Sequence, residues 1–400
     1  MATPFMGCPH VSIMARAKLR KKLLIVVNDV KFFISHRLCL AKAAKAVGYD
    51  IHVATPDYNE QIGAAGFVHH TIILNRGSLN PFKDVVTVFS LLRLYWRLKP
   101  DIVHHITVKP ILYGGIAARL AQIPAVVNVF TGLGFIFIAQ SCFMSLLRKM
   151  VQKGYRWAFN HRNMRVIFQN KEDKGYFIQA NILKEDKTVL IPGSGVCMKT
   201  FYPVDEPLGQ LRVILASRLL WHKGVGEFVE AARLLKKRKV KAQFILVGAI
   251  DAANPAAISD VQLEEWEREG IIEWWGERTD MPKIMREAHI VCLPSYREGL
   301  SRVLIEAAAS GRAIVATDVP GCRDVVHDGE NGLLVPVKDR EELALAIETL
   351  IHNSSLRKEM GLKGRVMVEK KYELKRIIKQ TLNVYKELSG QKRRKILNTN

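Results

Sequence analysis

The chain has 400 residues, 48% of them hydrophobic and 24% charged, which is material for two or three domains of roughly 150 residues and excludes a disordered, collagen-like or disulfide-scaffold protein. Lys+Arg number 60 against 38 Asp+Glu, a formal +22; residues 1–200 hold 27 against 10, residues 201–400 hold 33 against 28, and no acidic residue lies from Ile102 through Lys171. A field of that sign attracts polyanions, so anionic lipid, nucleic acid and phosphorylated substrates all stay open.

Residues 1–22 form a basic extension (Arg16, Lys18, Arg20, Lys21, Lys22) with no apolar run before a cleavage site, so no signal peptide is expected. From Leu23 onward, short apolar runs alternate with helical periodicity. Strands are predicted at Leu23–Val27, Ile51–Ala54, Phe67–Leu74, Asp101–Ile106, Ala125–Phe130, Val166–Gln169 and Thr188–Ile191. Helices are predicted at Ser35–Val47, Phe82–Arg97, Pro110–Ala121 and Lys171–Ala180. Apolar strands each followed by a helix predict a parallel sheet covered on both faces, a doubly wound α/β unit over residues 23–200.

Gly and Pro punctuate Ile191–Val196 and Phe201–Gln210, marking a linker near residues 196–210, and the pattern restarts as a second unit over 201–371. Its strands are predicted at Val213–Ala216, Gln243–Val247, Ile271–Trp274, Ile290–Leu293, Ala313–Ala316 and Leu333–Val335. Its helices are predicted at Gly224–Lys236, Met281–Glu287, Ser301–Ser310 and Glu341–Ile351. Two further helices, Ser355–Glu369 and Glu373–Leu388, have no strand after them and are expected to pack back across the join, with residues 372–400 forming a crossover helix and basic tail. Six cysteines (Cys8, Cys39, Cys142, Cys197, Cys292, Cys322) lack the short spacing of a zinc site or disulfide framework and predict a reducing cytosol.

Ile123–Leu147 carries no charge over 25 residues, long enough to span a bilayer, but Pro124, Asn128, Thr131, Gly132, Gly134 and Gln140 interrupt it. A span, a core strand followed by an apolar surface loop, and a loop dipping into a membrane are all open readings. After it, Phe143, Leu146, Leu147, Met150 and Trp157 alternate with Arg148, Lys149, Lys153 and Arg156. A basic amphipathic helix of this kind suits either an interfacial anchor or an ordinary surface helix.

Two doubly wound domains facing each other bind ligands beyond the carboxyl ends of their strands, so the chemistry belongs in the loops that follow strands. After Leu293 a loop carries Glu298 and Gly299, and a helix opens with Ser301 at its N-cap. Glu306 lies farther along that helix with its side chain tilted back, so both carboxylates can address one pocket. Free amides around Gly299–Leu304 and the helix dipole form an anion site between them. After Ala216, Arg218 offers a fork for phosphate oxygens and Lys223 a point charge. Carboxylates for hydroxyls beside cations and amides for a diphosphate suit a sugar nucleotide.

Three rivals use parts of this pattern. Glycoside hydrolysis would use the two glutamates as acid and base roughly 5–9 Å apart and leaves Arg218 and Lys223 idle. A nucleotide-sugar epimerase would share the two-domain fold and be distinguished by its product without an acceptor. A nucleic-acid binder would interleave aromatics with basic residues, whereas Phe135, Phe137 and Phe143 sit in apolar company.

Glu298–Glu306, with seven residues between the carboxylates, and the following Gly311-Arg312-Ala313-Ile314-Val315-Ala316-Thr317-Asp318-Val319-Pro320-Gly321-Cys322 resemble the family 4 retaining glycosyltransferases of the GT-B fold. The resemblance runs from about Leu23 to Tyr385 and includes Ile191-Pro192-Gly193-Ser194-Gly195-Val196. Phe33-Ile34-Ser35-His36-Arg37, Phe130-Thr131-Gly132-Leu133-Gly134 and Ile167-Phe168-Gln169-Asn170 are similar to the branch that extends undecaprenyl-diphosphate-linked sugars, its N-acetylgalactosaminyltransferases included.

The resemblance implies a retaining transfer from a UDP-sugar to a lipid-diphosphate-linked saccharide, by a cytoplasmic enzyme peripheral to the inner membrane face, with an anionic membrane surface and no nucleic acid among its partners. Glu298 would bind donor-sugar hydroxyls and Glu306 the ribose; Arg218 and Lys223 would take the charge of the leaving diphosphate; Gly299, Leu300, Val303 and Leu304 would complete the donor site. His105 would face the reaction centre, with His104 the alternative on the other side of the strand, and His36, Arg37, Thr131 and Gly132 would join it around the acceptor. Ser301 stands where the family often has Pro, Cys197 where it often has Asp, and Asn28-Asp29-Val30-Lys31-Phe32-Phe33 replaces the Gly-rich turn often seen after the first strand. No D-x-D motif occurs, so neither metal nor cofactor is expected.

Overall fold

Residues 20–74, 81–133, 142–251 and 254–396 are described by a computed structural model. The extension to residue 19 and the apolar loop over 134–141, with Gly134, Phe135 and Phe137, lie outside the described residues.

The first sheet is parallel throughout, with β1 (Lys22–Val27), β2 (Asp50–Thr55), β3 (Val68–Thr71), β4 (Ile102–Ile106), β5 (Ala125–Val129), β6 (Met164–Phe168) and β7 (Thr188–Leu190) in the order β3-β2-β1-β4-β5-β6-β7. The second is also parallel: β8 (Arg212–Ala216), β9 (Gln243–Val247), β10 (Glu273–Trp274), β11 (Ile290–Leu293), β12 (Ala313–Thr317) and β13 (Leu333–Val335) run in the order β10-β9-β8-β11-β12-β13. Central strands such as β1, fully buried from Leu23 to Val27, are apolar on both faces because helices cover both. In each sheet the order of strand addition reverses once, at β1/β4 and at β8/β11, and such reversals open a crevice at the carboxyl ends.

The predicted strands recur, and the two that shorten most, β3 and β10, are edge strands with a single neighbour each. The helix predicted at Ser35–Val47 is two, Val30–His36 and Leu38–Ala46, broken at Arg37. Asp29 caps the first, its carboxylate accepting from the Phe32 N–H at 3.0 Å, so the chain turns from strand into helix without a Gly-rich loop. Helices Glu60–Ala64, Asp260–Arg268 and Pro320–Arg323 were not expected.

The linker and the C-terminal crossover meet: Val196 N–H donates to the Tyr372 carbonyl at 3.0 Å, and Leu374 N–H donates to the Val196 carbonyl at 3.1 Å. Helix Ser354–Lys371 packs on the second domain through Met360 and Val368. Helix Leu374–Ile396 returns to the first, burying Ile377, Val384, Tyr385 and Leu388 in the cluster around Leu23 and Ile25.

Ala125–Val129 is the buried strand β5, which removes the membrane-span reading of the uncharged segment; no helix among the described residues is long and apolar enough to cross a membrane. Helix Cys142–Phe159 follows, burying Tyr155, Ala158 and Phe159 and leaving Leu146, Met150 and Trp157 exposed among basic residues.

Candidate active site

The turn after β8, Ser217–Gly224, crosses the loop after β11. Gly224 adopts a left-handed φ of +75°, and a Cβ there would lie 2.1 Å from the Pro294 carbonyl oxygen, so only glycine lets the two loops touch. This contact brings Lys223 to Glu298: Nζ donates to Oε1 at 2.5 Å, with both side chains largely shielded from solvent. Arg218 sits nearby and donates through Nη1 to Asp251 at 2.8 Å, about half exposed. His222 is among them: burial, then Lys223 and Arg218, lower its pKa, while Glu298 opposes. The Arg218–Asp251 pair is worth at most ~1 kcal/mol at that exposure, so a diphosphate can replace Asp251 as its partner.

Helix Arg302–Ala309 begins at the same crevice. Ser301 caps it, Oγ accepting from the Leu304 N–H at 3.5 Å. Helix geometry leaves the Arg302 and Val303 amides without intrahelical acceptors, and the Gly299 and Leu300 amides make no hydrogen bond to another described residue. Leu304 is fully buried and Leu300 packs against Gly193, so the site's share of Leu300 and Val303 is their N–H groups. The Leu304 amide, also expected to serve the donor, is turned to its cap. Glu306 is nearly buried; Arg302 Nε donates to it at 2.7 Å, and burial raises its pKa while Arg302 opposes. Each glutamate therefore has its own cation, and the clustered group is Arg218, His222, Lys223 and Glu298 at the β8/β11 crossing.

Residues 22–170 match the family model described as glycosyl transferase 4-like, and residues 210–353 match glycosyl transferases group 1. The N,N'-diacetylbacillosaminyl-diphospho-undecaprenol alpha-1,3-N-acetylgalactosaminyltransferase of Campylobacter jejuni is 30% identical over 81% of this chain and 90% of its own. The chain belongs to this glycosyltransferase family. The Escherichia coli UDP-Gal:alpha-D-GlcNAc-diphosphoundecaprenol alpha-1,3-galactosyltransferase is 27% identical over 68% of this chain and 71% of its own. Among solved structures, Anabaena HepE, determined with UDP and glucose, aligns over 92% of this chain and all of its own at a TM-score of 0.71 and 19% identity. The fold of the transferase is accordingly GT-B, and it is a hexosyltransferase.

On the first domain of the transferase, Thr131 and Gly132 reach the crevice, where their backbone lies against Gly299. His105, expected to face the reaction centre, lies inside the core of the first domain. It is 0% exposed, with Nδ1 paired to Asn128 Oδ1 and Nε2 to the Tyr95 hydroxyl, both at 2.8 Å. Both ring nitrogens are bonded inside the core, and burial holds its pKa down to about 4. His104 is likewise buried, its Nδ1 2.6 Å from the Tyr385 hydroxyl of the returning helix. Arg37 is 3% exposed, with Nε and Nη2 buried and unpartnered, and faces the interior rather than the crevice. His36 stacks on Phe32 and bonds the Ser35 hydroxyl, while Arg302 reaches the Ser35 carbonyl from the second domain.

Sequence reasoning singled out Asn170 only within the Ile167–Asn170 segment, without a role, and passed over Asp173 and Arg297; all three join the domains beside Gly299. Asn170 ahead of Glu172 and Asp173 is a visible N-cap signal, but a cap does not say which loop lies opposite. His222 and Asp251 were also passed over; their place depends on how two turns cross.

Proposed function

We propose that the transferase moves an N-acetylhexosamine, such as N-acetylgalactosamine, from a UDP-sugar to a lipid-diphosphate-linked saccharide in bacterial glycan assembly, with retention of anomeric configuration. The observation that carries this reading is Lys223 paired with Glu298, beside Arg218 and the unpaired Gly299 and Leu300 amides. The undecaprenyl-diphosphate acceptors named for the C. jejuni and E. coli relatives support the acceptor class, and UDP in the HepE structure supports the nucleotide. In the proposed step the bond from the sugar to the donor phosphate breaks, the acceptor oxygen bonds the anomeric carbon from the same face, and its proton passes to the departing diphosphate. Arg218 and Lys223 balance the charge that accumulates there, and Glu298 accepts from a donor-sugar hydroxyl.

A basic first domain with an exposed apolar stripe on helix Cys142–Phe159 supports a peripheral site of action on the cytoplasmic membrane face, where such an acceptor is presented. Binding to anionic vesicles above RNA at matched salt would support this partner; the reverse would remove it.

The test is a screen of nucleotide sugars with a lipid-diphosphate-sugar acceptor, following released nucleotide and the anomeric coupling of the product. Arg218→Ala should cost about 100-fold in turnover, ~3 kcal/mol of transition-state charge stabilisation. Normal turnover in a folded Arg218→Ala variant defeats the assignment, and sugar released to water or donor isomerised without acceptor would replace it with hydrolysis or epimerisation. With two side-chain cations on the diphosphate, turnover should survive chelation of divalent metal.

A further inference from the structure

We infer that Asn170, at the start of helix Lys171–Gln179 in the first domain, is a positioning residue that sets the direction of the Leu300 N–H in the donor site of the second domain. The inference rests on the donor site proposed above.

Asn170 is 2% exposed and uses its whole amide. Oδ1 accepts from the Asp173 N–H at 2.6 Å; Nδ2 donates to Asp173 Oδ2 at 3.0 Å and, across the crevice, to the Gly299 carbonyl at 2.6 Å. Only one amide orientation works. Turned over, Nδ2 would face an N–H while Oδ1 faced a carboxylate and a carbonyl, donor against donor and acceptor against acceptors. Asp173 is itself buried and takes a bond from Arg297 Nη2 at 3.1 Å, so one end of the loop holding Glu298 and Gly299 is tied to the same carboxylate that orients Asn170.

The loop has little other freedom. A Cβ on Gly299 would fall 2.2 Å from the Thr131 carbonyl oxygen and 2.7 Å from Gly132 Cα. From the other side, a Cβ on Gly321 would fall 2.7 Å from the Glu298 carbonyl carbon and oxygen. The peptide is therefore held between backbone of both domains. In a trans peptide the C=O and the next N–H point in opposite directions. Fixing the Gly299 carbonyl on Asn170 aims the Leu300 N–H away from the first domain's helix, and that amide has no acceptor among the described residues. A donor amide aimed beforehand stabilises developing phosphate charge without reorganising at the moment of reaction.

The test separates this from a cap's contribution to stability. Asn170→Ser keeps a capping oxygen for the Asp173 amide but cannot reach Gly299; Asn170→Ala removes both. Asn170→Ser should melt close to the parent, bind UDP within about threefold of it, and lose about 30-fold or more in kcat, since misplacement near 1 Å costs about 100-fold. In the protein without substrates, amide exchange at residues 298–301 and at 131–133 should quicken in Asn170→Ser. Turnover within threefold of the parent, or unchanged exchange at 298–301, overturns the inference. If the parent neither binds UDP nor transfers sugar, the donor reading fails, and the exchange arm still decides whether Asn170 holds the loop.

Discussion

At the β8/β11 crossing of the second domain, Arg218, Lys223 and Glu298 come from loops and pair across the crevice edge; at the β1/β4 crossing of the first, His104 and His105 come from the strand itself and are sealed inside. Both sheets have the same strand order there, so topology alone does not place chemistry. What differs is how the chain leaves the strand. After β8 a left-handed turn at Gly224 carries charged side chains over the sheet edge. After β1 the chain enters a helix within two residues, and its buried face meets the returning C-terminal helix. The first domain brings the Thr131–Gly132 backbone and the Asn170 and Asp173 side chains to the crevice, while the second brings Arg218, Lys223 and Glu298.

The largest expected effect comes from breaking the charged pair. Lys223→Met leaves the Glu298 carboxylate shielded and unpaired, and removing one partner of such a pair costs about 3–5 kcal/mol. A melting curve should show that loss, and turnover should fall by ~100-fold or more because the diphosphate loses a cation. A stable, active Lys223→Met protein would mean the second domain's crossing is as inert as the first's.

The sealed crossing predicts a pH effect with a definite sign. Burial, opposed in part by the Asn128 bond, holds His105 near a pKa of about 4, against 6.5 in the unfolded chain. Unfolded protein therefore takes up a proton between those values that native protein refuses. Stability is complete above pH 6.5 and falls as pH drops toward 4, by ~3 kcal/mol from this residue. Denaturant midpoints between pH 7 and 4.5 measure it, and His105→Gln should flatten the slope; an unaltered slope would move the acid sensitivity elsewhere.

The architecture was legible because its signals are local and repeated: apolar runs with flanking glycine and proline gave thirteen strands in two parallel sets. The second domain's site was legible for a related reason. Glu298, Arg218 and Lys223 lie within a few residues of strand ends, so reading the strands places them. The first domain's site was not. His105 lies one residue from the end of β4, but which way it faces depends on Tyr95 and Asn128, which come from a helix and the neighbouring strand. Arg37 reads as a charged position within the helix predicted at Ser35–Val47, yet the helix breaks there and the side chain is buried. Asn170 and Gly299 are 129 positions apart, and no periodicity records that the domains close on each other at that point.

On the face proposed to meet the membrane, a smaller change is expected. Leu146 and Met150 are 61% and 63% exposed on the outer side of helix Cys142–Phe159, and Trp157 lies under the Arg119 guanidinium at 4.1 Å. The Leu146→Glu, Met150→Glu double variant should bind anionic vesicles at least about tenfold more weakly, ~1.4 kcal/mol, with turnover on a water-soluble acceptor unchanged. Raised salt should release the parent protein if the basic residues dominate. Retention at high salt would assign the attachment to apolar contacts instead.

The effect whose size ranges down to nothing, but whose sign is opposite, concerns Arg37, which sharpens the contrast most. Its guanidinium is buried beside Tyr385 and Arg302, without a carboxylate partner among the described residues, and burial lowers its pKa to about 10, so it stays charged at neutral pH. A buried cation lacking a partner opposes folding, and replacing it with an apolar side chain of similar length removes that opposition at the cost of imperfect packing. Arg37→Met should therefore be neutral or more stable, by up to roughly 1–3 kcal/mol in denaturant midpoints. In the second domain the equivalent removal, at Lys223, is expected to destabilise, because there the cation has its carboxylate. If Arg37→Met instead loses several kcal/mol, the guanidinium has a partner in the folded protein, and the first domain's crossing holds paired charge as the second's does.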